Sequence, residues 1–461
     1  MRRQKVTLAN VGPVLAIVSV GIAAMGTSDP GSTFAVPFLG LMGLLATEVL
    51  LRLQGDRRAA TFLRNWIFLG IAARMLLFAV IHQTVGPYVF APDQWTYESQ
   101  GMGILNFWHG LGPLPSHVDE TLQVGYPGIN AVLFSIFGFA KSAPAILNMF
   151  FSCWTAVPIY FLTMLLVREN EDVARIAAGL TLFFPSLILW SVLNIREAPT
   201  ILAVVMSLYF CVRVQLRPSF AALAGVVTGL AILTFFRQYM TLLVGASVGA
   251  GVLMGRSRSP VRAFVAGSVI LVTLVYAAQT LGIAGTLVRE PTLNQLQMVR
   301  QGFLFQANSA YGSTADVSTA GGALRFLPVG LSYFMLAPFP WDIGSTLQAI
   351  TLPETLIWYF LLPVGLWGAW LGIRHDARQF TVPLSALVVV TFAYALVEGN
   401  VGTAYRHRAQ VLPIIFVFCA LGLRDLMALR AIRRQKLKAR RERAREFGGT
   451  HLVAGRGGSR D

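Results

Sequence analysis

Acids, histidines and arginines gather at a few places in this sequence. One stretch holds Asp93, Glu98, His109, His117, Asp119 and Glu120, and a short turn holds Arg196 and Glu197. Arg237 stands alone, Arg289, Glu290, Arg300 and Arg325 follow, and Tyr405-Arg406-His407-Arg408 closes the series. Carboxylates in such sets are candidate general bases toward a hydroxyl. Guanidiniums offer a planar fork that grips phosphate through two parallel hydrogen bonds. Both kinds together suit a reaction on a phosphorylated substrate.

Each candidate has a plainer reading. Asp93 follows Pro92 and precedes a helical pattern, as an N-cap does. Glu98 reads as a solvated helix position, and Arg196/Glu197 as a local ion pair at a helix start. Arg237, behind Phe236 and two residues before Tyr239, is placed to snorkel to an interface. Tyr405 to Arg408 packs three cationic or switchable side chains into four positions, which repel one another unless an anion joins them. His109 and His117 near Asp119 suggest a divalent metal, but no ligand spacing is persuasive, so no cofactor is firmly expected and a divalent metal stays open. Cys153, Cys211 and Cys419 lie in apolar segments and read as small hydrophobes. Pro338, Pro340 and Trp341 read as interfacial anchors.

The elements that position these residues are set by composition. Hydrophobic residues make up 55% of the 461 and charged residues 13%, against roughly a quarter charged in a soluble domain. The expected fold is all-α, a polytopic membrane bundle of about twelve spans. Apolar runs mark them at 11–26, 34–52, 65–85, 147–167, 176–193, 199–216, 219–236, 240–254, 263–283, 354–373, 381–397 and 409–423. Two shorter runs bounded by Pro or Gly, 126–138 and 326–341, are expected not to cross. Met1 to Lys5 followed by Val11 to Met25 resembles a signal peptide, but retention as a first span is expected.

Charge then orients the bundle. Counting crossings from Arg2, Arg3 and Lys5 puts Arg52, Arg57, Arg58 and Arg64 on the same side, with Arg168, Arg175, Arg217, Arg256, Arg258, Arg262, Arg374 and Arg378. By the positive-inside bias that side is cytoplasmic, and both termini lie there. The acid- and arginine-rich loops 86–125 and 284–325, and the turns 194–197, 237–239 and 398–408, then face outside the cytoplasmic membrane. A site there has no access to cytosolic nucleotide sugars or ATP, and the chain has no Gly-rich phosphate loop. Residues 1–423 form one membrane domain and 424–461 a basic cytoplasmic tail. That tail has twelve Lys/Arg against four Asp/Glu, half of the chain's +16. Arg424 to Phe447 reads as a basic helix attracted to anionic lipid, and 448–461 as disordered. So the net charge signals membrane lipid and positive-inside bias, not nucleic acid.

The order of features resembles the GT-C membrane glycosyltransferases, particularly the bacterial relatives of protein O-mannosyltransferases (glycosyltransferase family 39-like). Pro92-Asp93-Gln94-Trp95-Thr96-Tyr97 is similar to the family's acidic motif in its first outer loop. Tyr126-Pro127 through Phe137-Gly138 resembles its juxtamembrane helix, and Asn148 a polar position in the next span. Phe184-Pro185-Ser186, Asn194-Ile195-Arg196-Glu197 and Leu233-Thr234-Phe235-Phe236-Arg237 follow in the family's order. Tyr405-Arg406-His407-Arg408 with Pro413 resembles its last outer turn. The similarity covers residues 65–240 well and 395–425 loosely. Asp93 is followed by Gln94 where the family often has a second acid, which leaves Glu98, Glu197 or no residue for that place. The resemblance implies inverting transfer of a sugar from a polyprenyl-phosphate donor to an acceptor hydroxyl on a glycan, lipid or protein. It also implies that Asp93 is the base and that Tyr97, Arg196, Arg237, Tyr405, Arg406, His407 and Arg408 contact substrate. Two rivals stand beside it. One is a polymerase or ligase acting on lipid-linked glycans. The other is a lipid or solute transporter, which usually has repeated halves, and the chain shows no repeat.

Overall fold

The computed structural model describes residues 11–116, 124–167, 170–256, 293–305, 307 and 309–454. These residues are helical throughout, with one isolated bridge between Ala310 and Asn400. Three helices open the chain: α1 (Val11–Met25), α2 (Pro30–Arg52) and α3 (Arg57–Gln83). Asp29 starts α2 by accepting from the Ser32 amide, with Pro30 in the first turn where its missing N–H is harmless. Asp56 starts α3 by accepting from the amides of Arg58 and Ala59. The first long loop forms a short 3-10 turn (Pro87–Val89) and α4 (Gln94–Trp108), then leads to α5 (Gly125–Phe137).

The middle comprises α6 (Ala143–Trp154), α7 (Ala156–Leu166), α8 (Glu171–Phe183), α9 (Pro185–Ser191), α10 (Glu197–Leu216), α11 (Phe220–Phe236) and α12 (Gln238–Arg256). After the undescribed stretch come α13 (Leu293–Leu304), α14 (Ala320–Leu336), α15 (Thr346–Ile350), α16 (Leu352–Val397), α17 (Val401–Arg408) and α18 (Leu412–Ala454). Among the described residues, six helices are long and apolar enough to cross a membrane: α2, α3, α6–α7 together, α10, α16 and the start of α18. The α8–α9 pair, bent by 50° at Pro185, makes a seventh. α1, α5, α11 and α14 are apolar but shorter. Large apolar side chains such as Val14, Phe34, Leu45, Phe220 and Val227 are exposed on the outer faces of their helices, as lipid contact requires. The chain is therefore an α-helical membrane protein.

The bend in the α8–α9 span shows how a membrane protein satisfies a broken helix. Pro185 has no N–H, and the change of direction frees the carbonyl of Leu182. Arg74, fully buried in α3, donates to that carbonyl at 2.9 Å, to Ser191 Oγ at 3.0 Å and to Ser152 Oγ at 3.0 Å. An arginine in mid-span is first suspected of function; this one closes a backbone gap. Elsewhere, close packing rests on missing side chains. A Cβ on Gly368 of α16 would lie 1.9 Å from the Phe418 carbonyl of α18, so only glycine admits this approach.

Loops segregate to two ends. At one, the Gln215 side chain donates to the Arg378 carbonyl at 2.7 Å, and Arg64 pairs with Glu48 at 2.7 Å. Arg175 there shares one groove with Arg57 and Arg58 and another with Arg424. The opposite end gathers the acid- and arginine-rich turns. Both ends of α5 lie at that second end, since Gly125 abuts Phe235 and the Phe137 carbonyl abuts Gly31. The first long loop is ordered by packing of Ile104 and Leu105 of α4 on Ala131 and Phe134 of α5.

Residues 354–373 and 381–397 are the two halves of α16, which meet at a kink at Asp376 where the backbone is non-helical. One expectation needs adjustment. α18 runs from the last span through the tail to Ala454, so residues 448–454 are helical where disorder was expected. The helix-forming Ala/Arg/Glu/Lys run before them propagates. The expected span 263–283 lies outside the described residues, as do Arg289, Glu290, His117, Asp119 and Glu120.

If the two ends are the two membrane faces, single cysteines at positions 93 and 378 will react with an impermeant thiol reagent from opposite sides of sealed vesicles. Labelling of both from one side would show that the ends do not match the faces.

Candidate functional site

The polar end is built around Glu197, the first residue of α10, where a helix N-terminus favours negative charge. Its side chain is 1% exposed. Arg237, at the break between α11 and α12, places Nη2 2.5 Å from Glu197 Oε1. Arg406 of α17 places Nε 3.3 Å from the same oxygen and extends Nη1 to Asp93 Oδ2 at 2.8 Å. The series Asp93–Arg406–Glu197–Arg237 thus runs inward, from a carboxylate 46% exposed to a guanidinium 2% exposed. Glu197 Oε2 is buried with no hydrogen-bond partner among the described residues.

Asp93 does not act as an N-cap. It precedes α4 in helical backbone geometry and makes no side-chain capping bond. Arg406 holds its side chain instead. Burial alone would raise the Asp93 pKa, but the charge and hydrogen bond of Arg406, with Arg196 behind, hold it below the usual carboxylate value. Asp93 is thus ionised at neutral pH. Tyr97, one turn on, packs edge-on against Tyr126 at 5.0 Å; burial raises its pKa, and Arg196, Glu197, Arg237 and Arg406 all act on it electrostatically. Arg196 donates to the Phe236 carbonyl at 3.2 Å, tying the start of α10 to the end of α11.

Behind Glu197 lies a second acid. Glu398, buried after α16, meets His407 Nδ1 through Oε1 and accepts from Thr403 Oγ1 at 2.6 Å through Oε2. Burial pushes its pKa up to about 7. Burial and the neighbouring Arg237, Arg406 and Arg196 push His407 well below its ordinary value. One proton therefore lies between Glu398 and His407, and the imidazole carries no net charge. His407 Nε2 is 3.9 Å from Glu197 Oε1. Three guanidiniums, Arg196, Arg237 and Arg406, thus gather with the carboxylates of Asp93 and Glu197 in front of this pair.

The structure thus brings together Asp93, Tyr97, Arg196, Glu197, Arg237, Arg406 and His407. It does not bring three other candidates to them. Glu98, expected as a solvated position, is 3% exposed. Tyr88 from the 3-10 turn folds over it and donates to both carboxylate oxygens, at 3.0 and 2.8 Å. Arg408 lies two residues beyond Arg406, about 200° around the helix. It donates to the carbonyls of Met335 and Ala337, both at 2.9 Å, and lies over the Trp358 ring. Tyr405 belongs to the same far face, against Trp190 and the Arg408 guanidinium.

Several residues that the motifs contain, but that are not among the candidate site residues, support the site. Gln94 accepts from the Asn194 amide at 2.8 Å, Asn194 pairs with Asn130 and Tyr126, and Asn148 donates to the Leu193 and Ile195 carbonyls. These amides fix the turn that presents Arg196 and Glu197. Tyr239 and Tyr394 accept from Arg237 Nη1, and Tyr394 donates to Gln410 at 2.7 Å. A hint for Glu398 was its position, an acid opening the turn that ends in Tyr405 to Arg408. Among the described residues no three His, Cys, Asp or Glu side chains converge as a metal site.

A scan against protein-family models returns no match for this sequence, and a search of curated proteins returns none either.

Two measurements probe this network. Glu197→Gln leaves Arg237 buried without its counter-charge and is expected to destabilise the fold by roughly 3–5 kcal/mol; an unchanged melting temperature would remove Glu197 as the hub. Glu398 has a folded-state pKa raised from 4.5 to about 7. Its contribution to stability is complete below about 4.5 and lost as pH rises through about 7, because the buried carboxyl must ionise. Melting temperature should fall across that window, and Glu398→Gln should flatten the fall.

Proposed function

We propose that this chain is a GT-C-like glycosyltransferase of about twelve spans that moves a sugar from a polyprenyl-phosphate carrier to an acceptor hydroxyl. In this reading the basic end and both termini are cytoplasmic, and Asp93 works outside the membrane. The observation that carries it is the inward series Asp93–Arg406–Glu197–Arg237, a partly exposed carboxylate joined to an arginine-rich interior. A lipid phosphate entering sideways from the bilayer meets guanidiniums at the interface, and the acceptor approaches Asp93 from water.

The chemistry follows from those positions. The donor phosphate competes with Asp93 and Glu197 for the Arg406 fork. As Arg406 turns to the phosphate, one Asp93 oxygen becomes free to take the acceptor hydroxyl proton. The acceptor oxygen attacks the anomeric carbon from the face opposite the phosphate, and the carbon–oxygen bond to phosphate breaks with inversion. Its electron pair stays on the phosphate oxygen, so the carrier leaves as a lipid phosphate dianion. Arg406, Arg237 and Arg196 stabilise that growing charge. The proton ends on Asp93. Glu197 keeps the guanidiniums oriented between turnovers, and His407 with Glu398 supports Glu197 from behind.

One observation favours the polymerase or ligase rival: the ion pair with Arg406 lowers the basicity of Asp93, as a purely positioning role would tolerate. Asp93→Asn decides between them. With purified protein in nanodiscs and labelled polyprenyl-phosphate sugars, a general base predicts a loss of about 10²–10⁴ in transfer. Donor affinity should be kept or increased, since the competitor for Arg406 is weakened. Arg406→Ala should weaken donor binding, and Arg406→Lys should restore it only in part. Glu98→Gln should lose little. Wild-type transfer by Asp93→Asn would make Asp93 structural and overturn the mechanism.

A further inference from the structure

The opposite, basic end holds a feature with no part in this chemistry. Arg58, Phe62 and Trp66 follow one another at four-residue spacing on α3, so they form one stripe along the helix. With Arg57, Thr61 and Arg175 of α8 they line a groove. The Arg175 guanidinium lies over the Phe62 ring at 5.3 Å, and Trp66 packs edge-on against Phe183 at 5.4 Å while remaining 41% exposed. Trp66 is eight residues past Arg58, about 12 Å further along the axis. If this end of the bundle is a membrane face, the guanidiniums sit at the polar boundary of the bilayer and the aromatic wall at the depth of the upper acyl chains.

The nearby carboxylates are largely committed. Asp56 accepts from the amides that open α3, at 2.9 and 3.1 Å, and Glu171 pairs with Arg175 at 2.7 Å. Asp172 lies on the far side of Arg175, in the second groove with Arg424 and Met427. Arg57 and Arg58 are exposed and form no ion pair among the described residues. A groove with cations at its polar end and exposed aromatics at its apolar end complements an anionic amphiphile. A free phosphate would leave the aromatic wall unused, and a zwitterionic lipid would bring its ammonium against arginines.

We propose that this groove binds one anionic phospholipid, its phosphodiester on Arg57, Arg58 and Arg175 and an acyl chain along Phe62 and Trp66. The site is independent of the reaction proposed above. Native mass spectrometry of the full chain, loaded with phosphatidylglycerol or phosphatidylcholine, tests it. One retained phosphatidylglycerol is expected, with affinity falling roughly fivefold for Arg58→Gln, an exposed position where folding is not at risk. Brominated-chain phosphatidylglycerol should quench tryptophan fluorescence in the wild type and quench it less in Trp66→Phe. Equal retention of the two lipids, or retention and quenching unchanged in both variants, would overturn the proposal. Displacement of the lipid by millimolar inorganic phosphate would reassign the arginines to a free-anion site and overturn it as well.

Discussion

A charge held inside a helical bundle must find a partner there, because the Born cost of an isolated ion in a low-dielectric interior is several kcal/mol even after relaxation. Glu197 is where this constraint concentrates. It opens α10, accepts Arg237 from the α11–α12 break, and meets Arg406 and His407 from α17. Through Arg406 the same network reaches Asp93 ahead of α4. Segments far apart in sequence are held in one geometry by a single carboxylate. Removing any partner exposes another buried charge, so the end of the bundle is fixed as a unit.

The buried arginines divide into two kinds by what satisfies them. Arg300 and Arg408 donate to main-chain carbonyls, of Tyr311, Gly312 and Glu398 and of Met335 and Ala337 at the end of α14, and Arg74 donates to the Leu182 carbonyl at the α8–α9 bend and to two serine hydroxyls. These contacts repair places where helices end or bend, and losing them would orphan backbone groups that have no water to turn to. Arg237 and Arg406 are held by carboxylates. A guanidinium paired with a carboxylate can exchange it for another anion without breaking the backbone, so only this second kind is suited to ligand exchange.

The same distinction explains the asymmetry of α17. Its residues 406 and 408 are both arginine, yet one faces the Asp93–Glu197 series and the other plugs the end of α14. Asn400 starts the helix by accepting from the Gly402 amide at 2.9 Å, and the Ser309 and Asn400 side chains join the turn to the loop after α13. Arg300, donating to the Glu398 carbonyl, adds a second tie. The orientation of Arg406 therefore depends on a turn anchored from both sides.

Composition and charge determined much of this protein by themselves. Apolar runs fixed the helical membrane class, since every backbone group in lipid must be satisfied within helices. Charge grouped Arg57, Arg58, Arg175 and the basic tail on one side, and Arg57, Arg58, Arg175 and Arg424 do line neighbouring grooves at one end. The order of polar turns also pointed to Asp93, Arg196, Glu197, Arg237, Arg406 and His407, which stand together. Only the tertiary structure decided which side chains meet. Glu98 and Arg408 carry the same charges as Asp93 and Arg406, but Tyr88 covers the first and the α14 carbonyls claim the second. Arg74 bore no mark of its role, and Glu398 only its position in the last turn. A side chain's type fixes what bond it can make, but its partner comes from a segment tens or hundreds of residues away, and only packing brings the two within reach.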